Sequence, residues 1–183
     1  NQLLDEKVDI LVAHDFDPEL FVSYPLSDET LLLSVPVNNP INRHFADKAL
    51  PDSYFATGRY LEKDCPTVDL LEFADEDFLV LKKGNDMFTR TMQLCDNAGF
   101  APKVKIYSDQ LMTAYNMSRA GLGLTIVTDN LMRAVHGTSK CCIYKISGEN
   151  TKRKLSIGYK KKRYPSRAME AFVQCAMEVY KIK

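Results

Sequence analysis

SRAGLGLTIVTDN, residues 118–130, reads as a helix end, a glycine turn, a short apolar strand and a polar stop. Gly121 suits the residue after a helix, where the chain turns with positive φ, and Gly123 lets it turn tightly into the strand. LTIV, 124–127, has the continuous apolar character of a strand covered on both faces. Thr128, Asp129 and Asn130 then stand where the strand stops and the next helix starts, carrying Leu131, Met132 and Val135. A junction of this kind leaves backbone N–H groups and a partial positive charge unmatched. It is the floor and rim of a ligand cleft as an open α/β sheet builds one.

The same unit repeats along the chain. VDILVA (8–13), TLLLSVPV (30–37) and FLVL (78–81) read as buried strands. PKVKIY (102–107) alternates as a partly exposed strand, and CCIYKI (141–146) and KLSIGYKK (154–161) are strand-like. NQLLDEK (1–7) reads as the last turns of a helix. NNPINRH (38–44) reads as a turn, residues 44–76 as mixed structure broken by Pro51, Gly58 and Pro66, and VDLLEFADE (68–76) as a short amphipathic turn or helix. Asn85 or Asp86 can cap a helix whose face carries Phe88, Met92 and Cys95 and which Gly99 closes. Ser108 or Asp109 can cap the next, with Leu111, Tyr115 and Ser118 on one face; Asp129 or Asn130 can cap a third. Pro165 and Ser166 start a last helix presenting Met169, Phe172, Val173, Ala176 and Tyr180. Alternating strands and helices make the fold class α/β.

The three strand-to-helix junctions, 82–87, 107–110 and 128–130, suit an anionic or polar small molecule if the fold brings them together.

Bulk properties narrow the field. The 183 residues carry 24 basic and 24 acidic side chains. Such a balance gives no electrostatic case for nucleic acid or a membrane surface as partner. No apolar run approaches the roughly 20 residues of a membrane span, and no signal peptide is visible. The five cysteines form no CxxC, as expected of reduced thiols in the cytoplasm, and Cys95 belongs to a core face. His44 and His136 sit in polar turns with no second ligand at metal-binding spacing. KKKR (160–163) reads as a strand edge and a solvated turn. No catalytic motif is present and GLG is too short for a phosphate loop, so neither an enzyme nor a cofactor site is expected.

In this order the motifs resemble the effector-binding domain of LysR-type transcriptional regulators. KVDILVAHD (7–15) resembles the segment that precedes the family's cleft. PLSDETLLLSVPVNNPINRH (25–44) resembles the next strand and turn, with Asn39 where the family commonly has histidine. FLVLKKGNDMFTRTMQLCDNAGFAPKVKIYSD (78–109) resembles a strand, a helix and a G-[FL]-x-P run. SRAGLGLTIVTDN resembles V-x-x-G-x-G-[IL]-x-[LI]-[LV]-P, with Thr128 where proline is common, and KRKLSIGYKKKRYPSRAMEAFVQC (152–175) resembles the closing strand and helix.

The resemblance implies a type II periplasmic-binding-protein-like fold: two α/β subdomains joined by crossover strands. Residues 1–28 and 152–183 would form subdomain I and residues 29–151 subdomain II. The family's DNA-binding domain and the first strand-helix-strand of the effector domain have no counterpart here, so subdomain I is expected to be partial, with an exposed sheet edge. It further implies a cytoplasmic sensor whose small-molecule effector, in the inter-subdomain cleft, shifts the conformation of a homodimer or larger oligomer; DNA would be met only through the absent domain. The effector contacts would fall at His14, at Lys82, Lys83, Gly84 and Asn85, at Ser108 and Asp109, and at Thr128, Asp129 and Asn130. Ser108, Asp109, Asp129 and Asn130 are equally explained as helix caps, and Lys82 and Lys83 as solvated lysines. His14 sits where some aromatic-acid-sensing members carry arginine; it is either a partner for a ligand carboxylate or a plain strand-end histidine. A transport solute-binding protein, with the same fold and cleft, is the alternative.

Overall fold

A computed structural model describes residues 8–135, 140–162 and 164–181. The expected helix tail at 1–7, His136 and Arg163 of the KKKR turn lie outside them. The chain divides into two compact units, residues 1–29 with 153–183 and residues 30–152. Two strands carry it from one to the other. β2 (Phe21–Pro36) enters the second unit at Thr30, and β8 (Lys152–Lys160) re-enters the first at Arg153.

β2 is much longer than the expected 30–37 because its first half lacks an apolar run. Pro25, Ser27 and Asp28 interrupt the apolar pattern, and from Val22 to Asp28 the strand is only half covered, so polar residues cost little there. From Glu29 every residue to Pro36 is buried. In the first unit β8 lies between β1 (Leu11–His14) and β2, and β1 pairs antiparallel with β8, His14 opposite Leu155. α5 (Arg167–Lys181) buries Met169 and Val173. Phe172, expected on that face, is 58% exposed.

The second unit holds the main core. β2 pairs antiparallel with β6 (Thr125–Thr128) and with β7 (Cys141–Ile146), and β7 pairs parallel with the short β3 (Thr67–Val68). Alternation sends Leu31, Leu33, Val35, Ile126, Tyr144 and Ile146 into one apolar cluster. Leu32, Val127, Cys141 and Ile143 enter a second cluster with Phe55 of α1 (Asp52–Thr57) and Met132 of α4 (Asp129–Ala134). Both faces are therefore covered, which accounts for the unbroken apolar runs in the sequence.

β4 (Asp77–Leu81) and β5 (Lys103–Ser108) form a parallel pair, and Phe78 makes a parallel bridge to Leu124 just before β6. α2 (Asp86–Asn97) follows β4 and α3 (Leu111–Arg119) follows β5. The buried face of α2 is Met87, Thr91, Leu94 and Cys95, turned by about one residue from the expected Phe88, Met92, Cys95 stripe; Phe88 still packs against the core. Residues 38–44 form a short 3-10 turn over Pro40–His44, capped by Asn39, whose side chain accepts from the Ile41 amide and donates to Glu76.

Gly121 has φ +87 with open space where a Cβ would stand, whereas Gly123 has no such φ, and a Cβ there would lie 2.6 Å from the Asp77 carbonyl oxygen. Close approach of β6 to β4, rather than a special turn, is what position 123 requires. Gly121→Ala should therefore cost about 1–2 kcal/mol, the left-handed penalty. Gly123→Ala should cost about 3 kcal/mol, at the top of the overpacking range. Urea unfolding of the two variants measures the difference. Burial also pushes the Cys95 thiol up to about 12. At pH 8 only about one part in ten thousand of such a thiol is thiolate. A disulfide reagent should therefore label exposed Cys175 in the native protein and leave Cys95 untouched until the chain unfolds.

Candidate functional site

The parallel run β5–β4–β6 brings the carboxyl ends of three strands to one edge of the second unit, β6 followed at once by a helix start, β4 and β5 by one after short loops at 82–85 and 109–110. Convergence of the junctions, open at the level of sequence, follows from this topology. The first two touch directly. The Lys82 amide donates to the Ser108 carbonyl at 2.9 Å, and Lys82 Nζ pairs with the Asp109 carboxylate at 2.8 Å. Both side chains of that pair are exposed, so it is exchangeable and weakly stabilising. Lys83 and Gly84 are exposed beside it, Gly84 at φ +98.

The polar side chains at this edge take distinct roles. Asn85 caps α2, its Oδ1 accepting from the Met87 amide at 2.9 Å. Ser108 and Asp109 do not cap α3. Its N-cap is Gln110, which makes no side-chain cap bond. Buried Ser108 instead donates Oγ to the Gln110 carbonyl at 3.1 Å and closes the turn ahead of the helix. The cap of α4 is Thr128, accepting from the Leu131 amide at 3.2 Å, not Asp129 or Asn130. Asn130 holds Arg133.

Asp129 is 2% exposed and faces inward. One oxygen accepts from the Thr30 and Asn130 amides, the other from the Tyr60 hydroxyl at 2.6 Å. Burial and that carboxylate together push the Tyr60 pKa up, so Tyr60 stays a donor. Asp129 is thus a brace between β2, α4 and Tyr60, not a side chain presented to solvent. The chain spacing of Thr30, Tyr60 and Asp129 carries no local pattern, which is why sequence reasoning missed the brace.

In the first unit, His14 Nε2 lies 3.1 Å from Glu29 Oε2, and Arg153 donates both Nε and Nη2 to that same oxygen at 2.6 Å. A carboxylate only accepts, so this geometry puts a proton on His14 Nε2. Glu29 thus presents a carboxylate to His14 from within the first unit. Glu29 and Arg153 were both missed: each lies just outside the strand expected from the sequence, 30–37 and 154–161, where no local pattern marks a buried ion pair. Among the described residues no group of three histidine, cysteine or acidic side chains is placed to hold a metal ion. No described helix is long and apolar enough to cross a membrane.

The family model of the LysR substrate binding domain matches residues 1–181. The chain belongs to that family. An uncharacterized HTH-type transcriptional regulator of Bacillus subtilis (strain 168), YcgK, is 25% identical over 169 residues, covering 87% of this chain and 51% of its own length. The chain spans about half the length of the curated relatives it matches. Among solved structures, the Synechocystis PCC6803 CcmR regulatory domain in complex with 2-PG superposes with TM-score 0.78 at 15% identity, covering 98% of this chain and 77% of that one. The effector binding domain of QuiR in complex with shikimate gives 0.74 at 18%, covering 99% and 76%. At these identities the LysR effector-domain neighbours establish the fold, which is type II periplasmic-binding-protein-like with two α/β units joined by crossover strands. The transport alternative gives way to the regulator reading, since the curated relatives are transcriptional regulators.

Asp129→Ala in this LysR domain leaves the Thr30 amide and the Tyr60 hydroxyl without their acceptor, and should cost about 3 kcal/mol. Tyr60→Phe removes one donor only and should cost about half of that. Thermal unfolding of both variants checks the order; equal losses would mean that the Thr30 bond contributes nothing.

Proposed function

We propose that this domain senses a small carboxylate effector on behalf of a longer LysR-type transcription regulator. The observation that carries the reading is the meeting of the β4–α2 and β5–α3 junctions at one edge of the second unit, joined by the exchangeable Lys82–Asp109 pair. α2 and α3 each begin there, and the first turn of a helix offers amides and partial positive charge to an anion. Lys82, Lys83, the Gly84 and Asn85 backbone, Ser108 and Asp109 form the contact set; Thr128 and Asn130 shape its border and Asp129 braces it from below. The ligands named for the two structural neighbours, 2-PG and shikimate, support a small polar effector, and shikimate is itself a carboxylate.

The incoming carboxylate takes the place of Asp109 on Lys82. The free energy of that exchange favours one conformation of an oligomer over another, and the shift reaches DNA through a domain outside this chain. The domain itself performs no chemistry on the effector.

The test uses the full-length regulator in a thermal-shift screen against carboxylate metabolites, followed by calorimetry on the hits. Lys82→Ala should weaken binding about tenfold, the equivalent of roughly 1.4 kcal/mol. Asp109→Asn, which frees Lys82, should tighten it. Affinity unchanged in both variants would remove this edge from the site. His14→Ala is read in the same titration; a loss of affinity adds the first unit to the binding set, and no change leaves His14 outside it.

A further inference from the structure

The second apolar cluster of the second unit encloses a polar group with no partner among the described residues. Tyr115, in the middle of α3, is fully buried, and its hydroxyl has no hydrogen-bond partner among the described residues. One turn later, Arg119 has its Nε buried and equally without a partner. The guanidinium carbon of Arg119 lies 5.7 Å from the centre of the Tyr115 ring. Between them in sequence is Ser118, also fully buried, its Oγ 3.3 Å from Ser34 Oγ and 3.8 Å from Cys141 Sγ. Tyr115 itself packs in one cluster with Leu32, Phe55, Val127, Met132 and Ile143.

The two orphaned atoms share a chemistry. Arg119 Nε–H can only donate. Burial raises the Tyr115 pKa, so its hydroxyl keeps its proton and donates as well. Residues four apart on a helix are neighbours on one face. Two neighbouring donors with no acceptor among the described residues point to one small acceptor. A dry arrangement would waste the hydroxyl, because phenylalanine fills the same volume without leaving a buried donor unmatched.

We propose that Tyr115 and Arg119 hold a bound hydrogen-bond acceptor of one or two heavy atoms, an ordered water or a small inorganic anion, inside the second unit. It is distinct from the edge formed by the β4–α2 and β5–α3 junctions. Its occupancy adds to the hold on α3 that Ser118 already provides through its direct contacts with Ser34 and Cys141.

The experiment is thermal unfolding of the domain and of Tyr115→Phe, Arg119→Met and the double variant. Each is measured in sodium chloride and in sodium gluconate of equal ionic strength, alongside a crystal structure with a bromide soak. Tyr115→Phe should lower Tm by about 2–4 °C, the shift for one lost buried hydrogen bond in a domain of this size. The double variant should lose little more than the worse single variant, because both donors serve one acceptor. A Tm drop of equal size in both salts, with a full-occupancy oxygen within hydrogen-bonding distance of Tyr115 Oη, assigns water. A drop confined to chloride, with an anomalous bromide peak at that position, assigns an anion. A Tyr115→Phe variant of unchanged or higher Tm, or a site without density next to Tyr115 Oη, overturns the proposal.

Discussion

Strand β2 is the constraint on which the rest of the structure depends. From Thr30 to Pro36 it is buried on both faces and hydrogen-bonded along both edges, to β6 and to β7. A strand so enclosed must be apolar on both faces and must have every backbone group matched. LLLSV meets the first demand, with Ser34 as its one polar residue, and Ser118 answers that serine. The second demand is met at its entry by Asp129, which receives the Thr30 amide just where the strand comes into the unit. A carboxylate from a distant helix start thus completes the ladder that β6 begins at Leu31.

That arrangement also organises the candidate site. Because β6 is held against β2 on one side and against β4 on the other, the Thr128 junction stands at the same edge as the Lys82 and Ser108 junctions. Gly123 makes this possible by letting β6 approach the Asp77 carbonyl without a Cβ in the way. Packing therefore delivers three helix starts to one place. The polar residues at those starts divide the labour: some hold the scaffold, as Asn85, Thr128 and Asp129 do, and others face solvent, as Lys82, Lys83 and Asp109 do.

In the first unit the same economy appears in ionic form. Glu29 and Arg153 stand on the two strands that connect the units, at the residue where each crosses, and are joined by two short donor contacts onto a single oxygen. Their side chains are 9% and 8% exposed. Removing one partner of such a pair strands a buried charge, so the two positions depend on each other.

The sequence by itself determined the order of strands and helices outside 44–76, the helix ends at Gly99 and Gly121, the apolar runs of the second unit that must be doubly covered and the polar residues at each junction. These are local properties, set by periodicity and by glycine's access to positive φ. VDILVA, read as buried in the same way, is instead a half-exposed strand over Leu11–His14 with Val12 46% exposed. The family resemblance rested on the same local motifs. Tertiary structure alone decided the length of β2, whose polar half is a strand only because β8 lies beside it. It alone decided which cap candidates cap, since Asp129 is diverted from helix α4 by Tyr60 and Thr30, residues 69 and 99 positions away. It also decided that His14 meets Glu29. Each of these outcomes depends on a partner remote in sequence, and spacing along the chain carries no record of what the fold brings alongside.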